Sequence, residues 1–269
     1  ASALPALRAE QVRLLVAQGR AGEAVKRGRE WSDEISPRDA DLDLAVLEAI
    51  VADELESKST DALSERLREL EQRHGPYWGR RGAALVLKKA PAEMANESFD
   101  LLARTADQLF LQRNFDEAIA TYDRAVQKAS ELNRSAEAFD LAMKAALVEQ
   151  ERGGFAEAVR RFVALSASPD AKEKAAEVHL LAAWNQAQIV RTSPNDAAAV
   201  QRYEELLNEQ IERFAAAPSA STARLWMARL YASRGQLDKA EEVARRIPYN
   251  AKERDEGLQI CQRYWNSGS

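Results

Sequence analysis

One cysteine in 269 residues rules out an internal disulfide, and Cys261 with two histidines cannot assemble a cysteine-histidine metal cluster. Eleven glycines and eight prolines are too few for the many tight turns of a β-rich fold. No apolar run approaches the roughly eighteen residues that would cross a bilayer. A basic excess is missing too. With 38 Lys and Arg against 43 Asp and Glu, the formal net charge of -5 argues against a general polyanion binder. Gly153-Gly154 has neither the preceding strand nor the lysine of a phosphate loop. Carboxylate pairs are those of any charged helix surface, and no Ser, His and Asp share a telling spacing. Hence no catalytic residue, cofactor or metal ligand is expected.

Hydrophobic residues at 46% and charged ones at 30% mark a folded protein, and the abundance of Ala, Leu, Glu, Arg and Gln points to an all-helical one. The dominant feature is a recurring segment. Phe115 to Ala125 (FDEAIATYDRA) returns as FAEAVRRFVAL at 155–165, NDAAAVQRYEELL at 195–207 and LDKAEEVARRI at 237–247. Alignment stacks Ala118, Ala158, Ala199 and Ala240 at steps of 40, 41 and 41 residues, and twelve residues before each stands Ala106, Ala146, Ala187 or Ala228. Small residues at a fixed period let helix backbones approach at every crossing, so the double ladder predicts an array of helix pairs. Four residues beyond the second rung come Tyr122, Phe162, Tyr203 and Ala244, three rings and a small residue that fill the space between alanines.

Taken in order, the chain predicts helices at 5–18, 22–35, 39–57, 61–74 and 77–90. Val12 and Ala24 keep the twelve-residue spacing and suggest a degenerate first copy. Ser36-Pro37 is expected to stop the second helix, Thr60 to cap the fourth and Pro91 to close the fifth. The helix at 39–57 carries Asp39, Asp41, Asp43, Glu48, Asp53, Glu54 and Glu56 without a Lys or Arg. Its two apolar stripes, Leu44, Leu47, Val51 and Leu55 beside Leu42, Val46 and Ile50, predict a sandwiched element. Residues 77–90 invert the charge with Arg80, Arg81, Lys88 and Lys89, so acidic and basic helices are expected to be neighbours.

Beyond residue 97 the first helices of each pair are expected at 97–112, 135–152, 171–191 and 220–234, and the second at 115–131, 155–167, 196–216 and 236–247. The turns carry Arg113-Asn114, Gly153-Gly154, Pro194-Asn195 and Gly235, where Asn and Gly tolerate positive φ and let the helices run antiparallel. A last helix at 251–265, with Leu258, Ile260, Cys261, Tyr264 and Trp265, is expected to cover the open apolar end. The domain reading is 1–95 N-terminal helical region, 96–250 four regular repeats, and 251–269 capping helix and tail.

These residues resemble the tetratricopeptide repeat family. The order is a small residue, another twelve on, an aromatic four on, and a small or aliphatic residue three on. Ala106, Ala118, Tyr122 and Ala125 follow it fully, and Ala146, Ala158, Phe162 and Leu165 nearly so. The likeness covers 97–250 and is faint over 5–37. The period of 40 to 41 exceeds the family's usual 34, and the first-helix Trp and Leu-Gly positions are mostly missing, with Met227-Ala228 and Tyr231 the nearest approach. The resemblance implies an all-α solenoid, a right-handed superhelix of antiparallel helix pairs, acting as a non-enzymatic scaffold for a protein or peptide partner. It places the binding groove on the first helix of each pair: Ala103, Asp107 and Phe110, then Met143, Leu147 and Gln150, then Trp184, Gln188 and Arg191, then Leu225 and Arg229. The family's lysine and asparagine clamp for a C-terminal carboxylate is not reproduced.

Bland readings stand beside these. Trp184 and Trp226 read first as packing between repeats and only second as binding anchors. His179, between Val178 and Leu180, reads as structural, and His74 as a helix-end residue. The stretch 80–89 reads as a solvated basic face. Two other functions are kept: a small-ligand sensor or enzyme with a pocket near 75–110, where the N-terminal helices meet the repeats, and nucleic-acid binding through Arg80, Arg81, Lys88 and Lys89. The chain begins Ala1-Ser2-Ala3 without methionine, as a processed or excised chain would, from which export is expected ahead of a cytoplasmic location.

Overall fold

The computed structural model describes residues 3–35, 37–57, 61–89 and 99–267. Among the described residues there are fourteen α-helices, one 3-10 segment and no strand. The helices are α1 (Ala3–Ala17), α2 (Ala21–Glu34), α3 (Ala40–Ser57), α4 (Asp61–His74), α5 (Pro76–Lys89), α6 (Phe99–Leu111) and α7 (Phe115–Glu131). There follow α8 (Ser135–Glu151), α9 (Phe155–Ala167), α10 (Ala175–Thr192), α11 (Ala197–Arg213), α12 (Ser219–Ser233), α13 (Leu237–Arg245) and α14 (Arg254–Ser267). They group into two compact units, Ala1–Leu141 and Ala142–Ser269. Within each, helices pack mainly on their neighbours in chain order, so the fold is an all-α solenoid. Among the described residues no helix is long and apolar enough to cross a membrane.

In the first unit α3 is the sandwiched element that its two stripes predicted. Leu44, Leu47, Ile50 and Val51 pack with Leu63, Leu67 and Leu70 of α4, Ala83 and Val86 of α5, and Leu101 of α6. On its other side Leu42, Ala45 and Ala49 pack with Ala9, Val12, Leu15 and Ala24 of α1 and α2. Each Leu or Ile buried in this way stabilises the fold by roughly 1.5–3 kcal/mol relative to exposure. The approach of α2 to α3 is so close at Gly28 that an added Cβ would lie 2.6 Å from Val46 Cγ2. Asp39 caps α3, its side chain accepting from the Asp41 and Leu42 amides at 3.0 Å.

The acidic α3 and the basic α5 are neighbours, as expected, but the acids of α3 pair with other helices. Although α5 packs on α3, Arg80 and Arg81 are exposed, and Arg81 lies over the Trp78 ring. Arg13 of α1 holds Asp41 at 2.7 Å, and Arg66 of α4 holds Asp43 at 2.6 Å. Asp43, counted from sequence only as one of seven acids on the helix, is 1% exposed. It also accepts from Ser32 Oγ, and its second oxygen lies 2.8 Å from His74 Nε2. His74 therefore does more than end α4. The expected stops and caps at Ser36, Thr60 and Pro91 and the start of a helix at 97 lie outside the described residues, as do the side chains of Leu55, Lys89 and Tyr264.

The ladder is core. Ala106, Ala118, Ala146, Ala158, Ala228 and Ala240 are fully buried, Ala199 nearly so, and Tyr122, Phe162, Tyr203 and Ala244 are buried beside them. Ala187 is the exception at half-buried. The same turn ends five helices: an amide reaches back five residues while the residue before it takes a positive φ, as in Gly154 N to Glu149 O at 2.8 Å with Gly153 at φ 84. After α6 the positive φ falls on Arg113 (61°), not on Asn114 as expected, and after α7 on Asn133 (56°). The turn before α11 uses another device, Asp196 accepting from the Ala198 and Ala199 amides at 3.0 and 3.2 Å. Residues expected to open a helix at 171 form the 3-10 segment Pro169–Lys174 instead. At the chain's far end α14 packs on α12 and α13, burying Ile260 and Cys261 and leaving Leu258 and Trp265 exposed.

Candidate protein-binding cleft

In the second unit, polar locks decide which face of α10 is free. Asn185 is buried, its Nδ2 donating to Gln150 Oε1 of α8 at 2.9 Å and to Leu181 O at 2.8 Å. Gln186 is buried too and donates to Ala199 O of α11 at 2.9 Å. His179, fully buried, meets Gln210 Oε1 at 2.8 Å and Glu209 Oε2 at 3.1 Å, while Gln210 Nε2 donates to Ala176 O and to Ser219 Oγ of α12. These bonds satisfy groups that would cost about 1–3 kcal/mol each if buried alone, so they fix the rotation of α10. Trp184, Gln188 and Arg191, one helical turn apart, are thereby turned outward.

On α12 the matching face is Trp226, Arg229, Leu230 and Ser233. With Tyr203 of α11 between them, the two faces enclose a cleft of about 450 Å³. Among the described residues its walls carry two tryptophans, a tyrosine and two arginines, and no carboxylate. Trp184 is 37% exposed and sets its ring edge-on to Phe155 at 6.3 Å. Tyr203, expected as core filling, is both core and cleft floor. Burial pushes its hydroxyl pKa up and the Arg229 charge draws it part of the way back. Past Arg229 and Ser233 a second hollow of about 340 Å³ continues toward α14, lined by Leu237, Glu256, Gln259, Ile260 and Arg263.

The structure brings Trp184, Gln188, Arg191 and Arg229 to one cleft. Leu225, expected on that face, is 5% exposed and belongs to the core, because the outward stripe of α12 starts one residue later, at Trp226. Met143 is half-buried and Leu147 is 42% exposed on α8, where Gln150 is taken up by Asn185. Trp226, read from sequence as a binding anchor only behind its packing role, lines the cleft, and Tyr203 was missed as a cleft residue. The spacing of Trp226, Arg229, Leu230 and Ser233 was the available signal for the first, and nothing in sequence marks the second.

In the first unit, Asp107 and Phe110 line a cleft of about 570 Å³ with Glu71, Arg80, Ala83, Arg104, Gln108 and Leu111. Three of its polar groups are already engaged: Arg104 holds Glu71 at 2.9 Å, and Asp107 accepts from the hydroxyl of Tyr122. Ala103 is half-buried on the same helix. Elsewhere in this unit, Ser32 and His74 both bond to Asp43, so the carboxylate stands between them and His74 is not placed to take the serine's proton.

No family model matches the chain, and no curated protein matches it. Among solved structures it is similar to the crystal structure of yeast Tom70, at a TM-score of 0.27 and 13% identity. That likeness covers 94% of this chain and 60% of the Tom70 chain.

Proposed function

We propose that the chain is a tetratricopeptide-like scaffold without enzymatic activity, which binds a protein or peptide partner in the cleft formed by α10, α11 and α12. The observation carrying this reading is the pairing of Trp184 and Trp226 with Arg191 and Arg229 around one open cleft. Aromatic and arginine side chains are the residue types that dominate binding energy at protein interfaces. An extended or helical segment fits an open trough with an apolar floor and charged rims. The order of small residues and, in three of the four repeats, a ring, buried as a packing ladder except at Ala187, supports the family reading. The non-enzymatic reading is supported by the way each histidine is spent, His179 on Gln210 and Glu209 and His74 on Asp43.

The test is a random dodecapeptide phage library panned on the full chain and on the Trp226→Ala, Arg191→Glu double variant, with equal helicity and melting temperature checked by circular dichroism. Sequences enriched on the parent and lost on the variant are expected. Enrichment of the same sequences on both would remove the cleft from the reading.

A further inference from the structure

The cleft and the hollow beyond it share Arg229 and Ser233, so they form one trough running from Trp184 to Arg263. Three guanidinium groups lie along it: Arg191, Arg229 and Arg263. Against them, among the described residues, stands one carboxylate, Glu256, on α14. In a chain whose net charge is -5, this is a local basic strip with an aromatic floor. Glu256 accepts through one oxygen, Oε1, from Arg229 Nε at 2.8 Å and from the neighbouring guanidinium nitrogen as well, a forked contact on a single carboxylate oxygen. The pair is exposed, 51% for Arg229 and 45% for Glu256, so it is weak and open to exchange with another acid.

Resting on the function proposed above, we infer that the trough takes an acidic segment of a protein partner carrying an apolar or aromatic residue, and that Glu256 is the internal stand-in such a segment displaces. A partner carboxylate takes the place of Glu256 on Arg229, a neighbouring acid meets Arg191 or Arg263, and the apolar residue lies on the tryptophans and Tyr203. Opposite charge along the strip selects the partner's sign and speeds encounter, while the ring floor supplies the desolvated contact. The grip of Glu256 makes α14 a competitor at the site as well as a cover for the end of the array. Acidic peptide is favoured over single-stranded nucleic acid, which could also use arginines and stacking rings, because the strip is short within an acidic chain and already holds a carboxylate.

The test uses the peptides selected from the dodecapeptide library. They are expected to be rich in Asp and Glu beside Leu, Phe or Trp. Their affinity should fall at least about tenfold for Arg229→Glu and rise about two- to fivefold for Glu256→Gln, since the lost competitor is a weak surface pair. A melting curve of Glu256→Gln equal to the parent's keeps the effect at the trough. Cleft-dependent peptides that are neutral or basic, or an affinity unchanged or lowered by Glu256→Gln, overturn this inference and leave the cleft standing. The absence of any cleft-dependent peptide overturns both. A twelve-nucleotide oligothymidylate that binds the chain and displaces the selected peptides would hand the trough to nucleic acid instead.

Discussion

Replacing Asp43 by Asn removes one buried charge at nearly constant shape, and its cost can be worked from the contacts. Asp43 is 1% exposed and Arg66 is 7% exposed, at 2.6 Å from each other. Without the carboxylate, the Arg66 charge stays buried with Glu69, itself a third exposed, as its remaining ion-pair partner. Breaking one side of such a pair costs about 3–5 kcal/mol. The amide keeps an acceptor for Ser32 or for Arg66, so the low end, about 3 kcal/mol, is expected, or roughly a hundredfold in the opening equilibrium. Hydrogen exchange of α3 amides, read by mass spectrometry, measures that opening in the first unit directly. The Asp43→Leu, Arg66→Met double variant should recover only part of the loss, since a buried pair exchanged for apolar groups is close to neutral while Ser32 and His74 lose their acceptor.

The pH dependence follows from the same contacts. Burial pushes the Asp43 pKa up, but the Ser32 and His74 hydrogen bonds and the Arg66 charge outweigh it and hold the carboxyl below its ordinary value. A depressed folded pKa means the contribution is complete above the unfolded value of about 3.9 and is lost as pH falls through the folded one. The gap between parent and Asp43→Asn should thus hold at about pH 5–6 and shrink below about pH 4. A cost under about 1 kcal/mol at pH 6, or a gap that widens in acid, would refute the account of Asp43 as a charge held by its partners.

Three further outcomes are expected. Ala158→Leu adds bulk at a fully buried crossing and should lower stability by about 1–3 kcal/mol in urea unfolding, where a smaller effect would mean the ladder is not tightly packed. Arg113→Gly relieves a side chain held at φ 61 and should raise stability by about 0.5–1 kcal/mol, unless its contact 5.5 Å over the Phe115 ring outweighs the relief. Cys261 is 3% exposed, and burial, with the Glu241 charge, pushes its thiol pKa up. Aromatic disulfide reagents at pH 8 should therefore label it only as α14 undocks, and labelling as fast as an unfolded control would contradict the cap.

The periodic content of the sequence carried the helices. A repeat of small residues is a statement about backbone approach, and it located α7 and α9 to the residue and the buried rings beside them. The two apolar stripes of α3 told of a helix covered on both sides, because circumference is a property of one helix alone. The identity of partners was another matter. Asp43 and Asp41 look alike in sequence, yet one lies beside Ser32, Arg66 and His74 and the other is held by Arg13, since only the packing of α2 and α4 on α3 brings those groups together.

The candidate cleft divides in the same way. That first helices carry the outward residues was implied by the family resemblance alone, and Trp184, Gln188, Arg191 and Arg229 are found along one trough. The rotation of α12 was misjudged by one residue, because a helix with buried residues on several faces gives only a weak stripe, and Leu225 was taken for its neighbour Trp226. Side-chain locks at Asn185, Gln186 and His179 settle the rotation of α10, and each spans more than twelve residues of chain in at least one bond. The grip of Glu256 on Arg229 joins side chains 27 residues apart. Local period determined the elements and their order; which charges meet was decided only when the helices packed, because that depends on rotation and approach between elements the period leaves free.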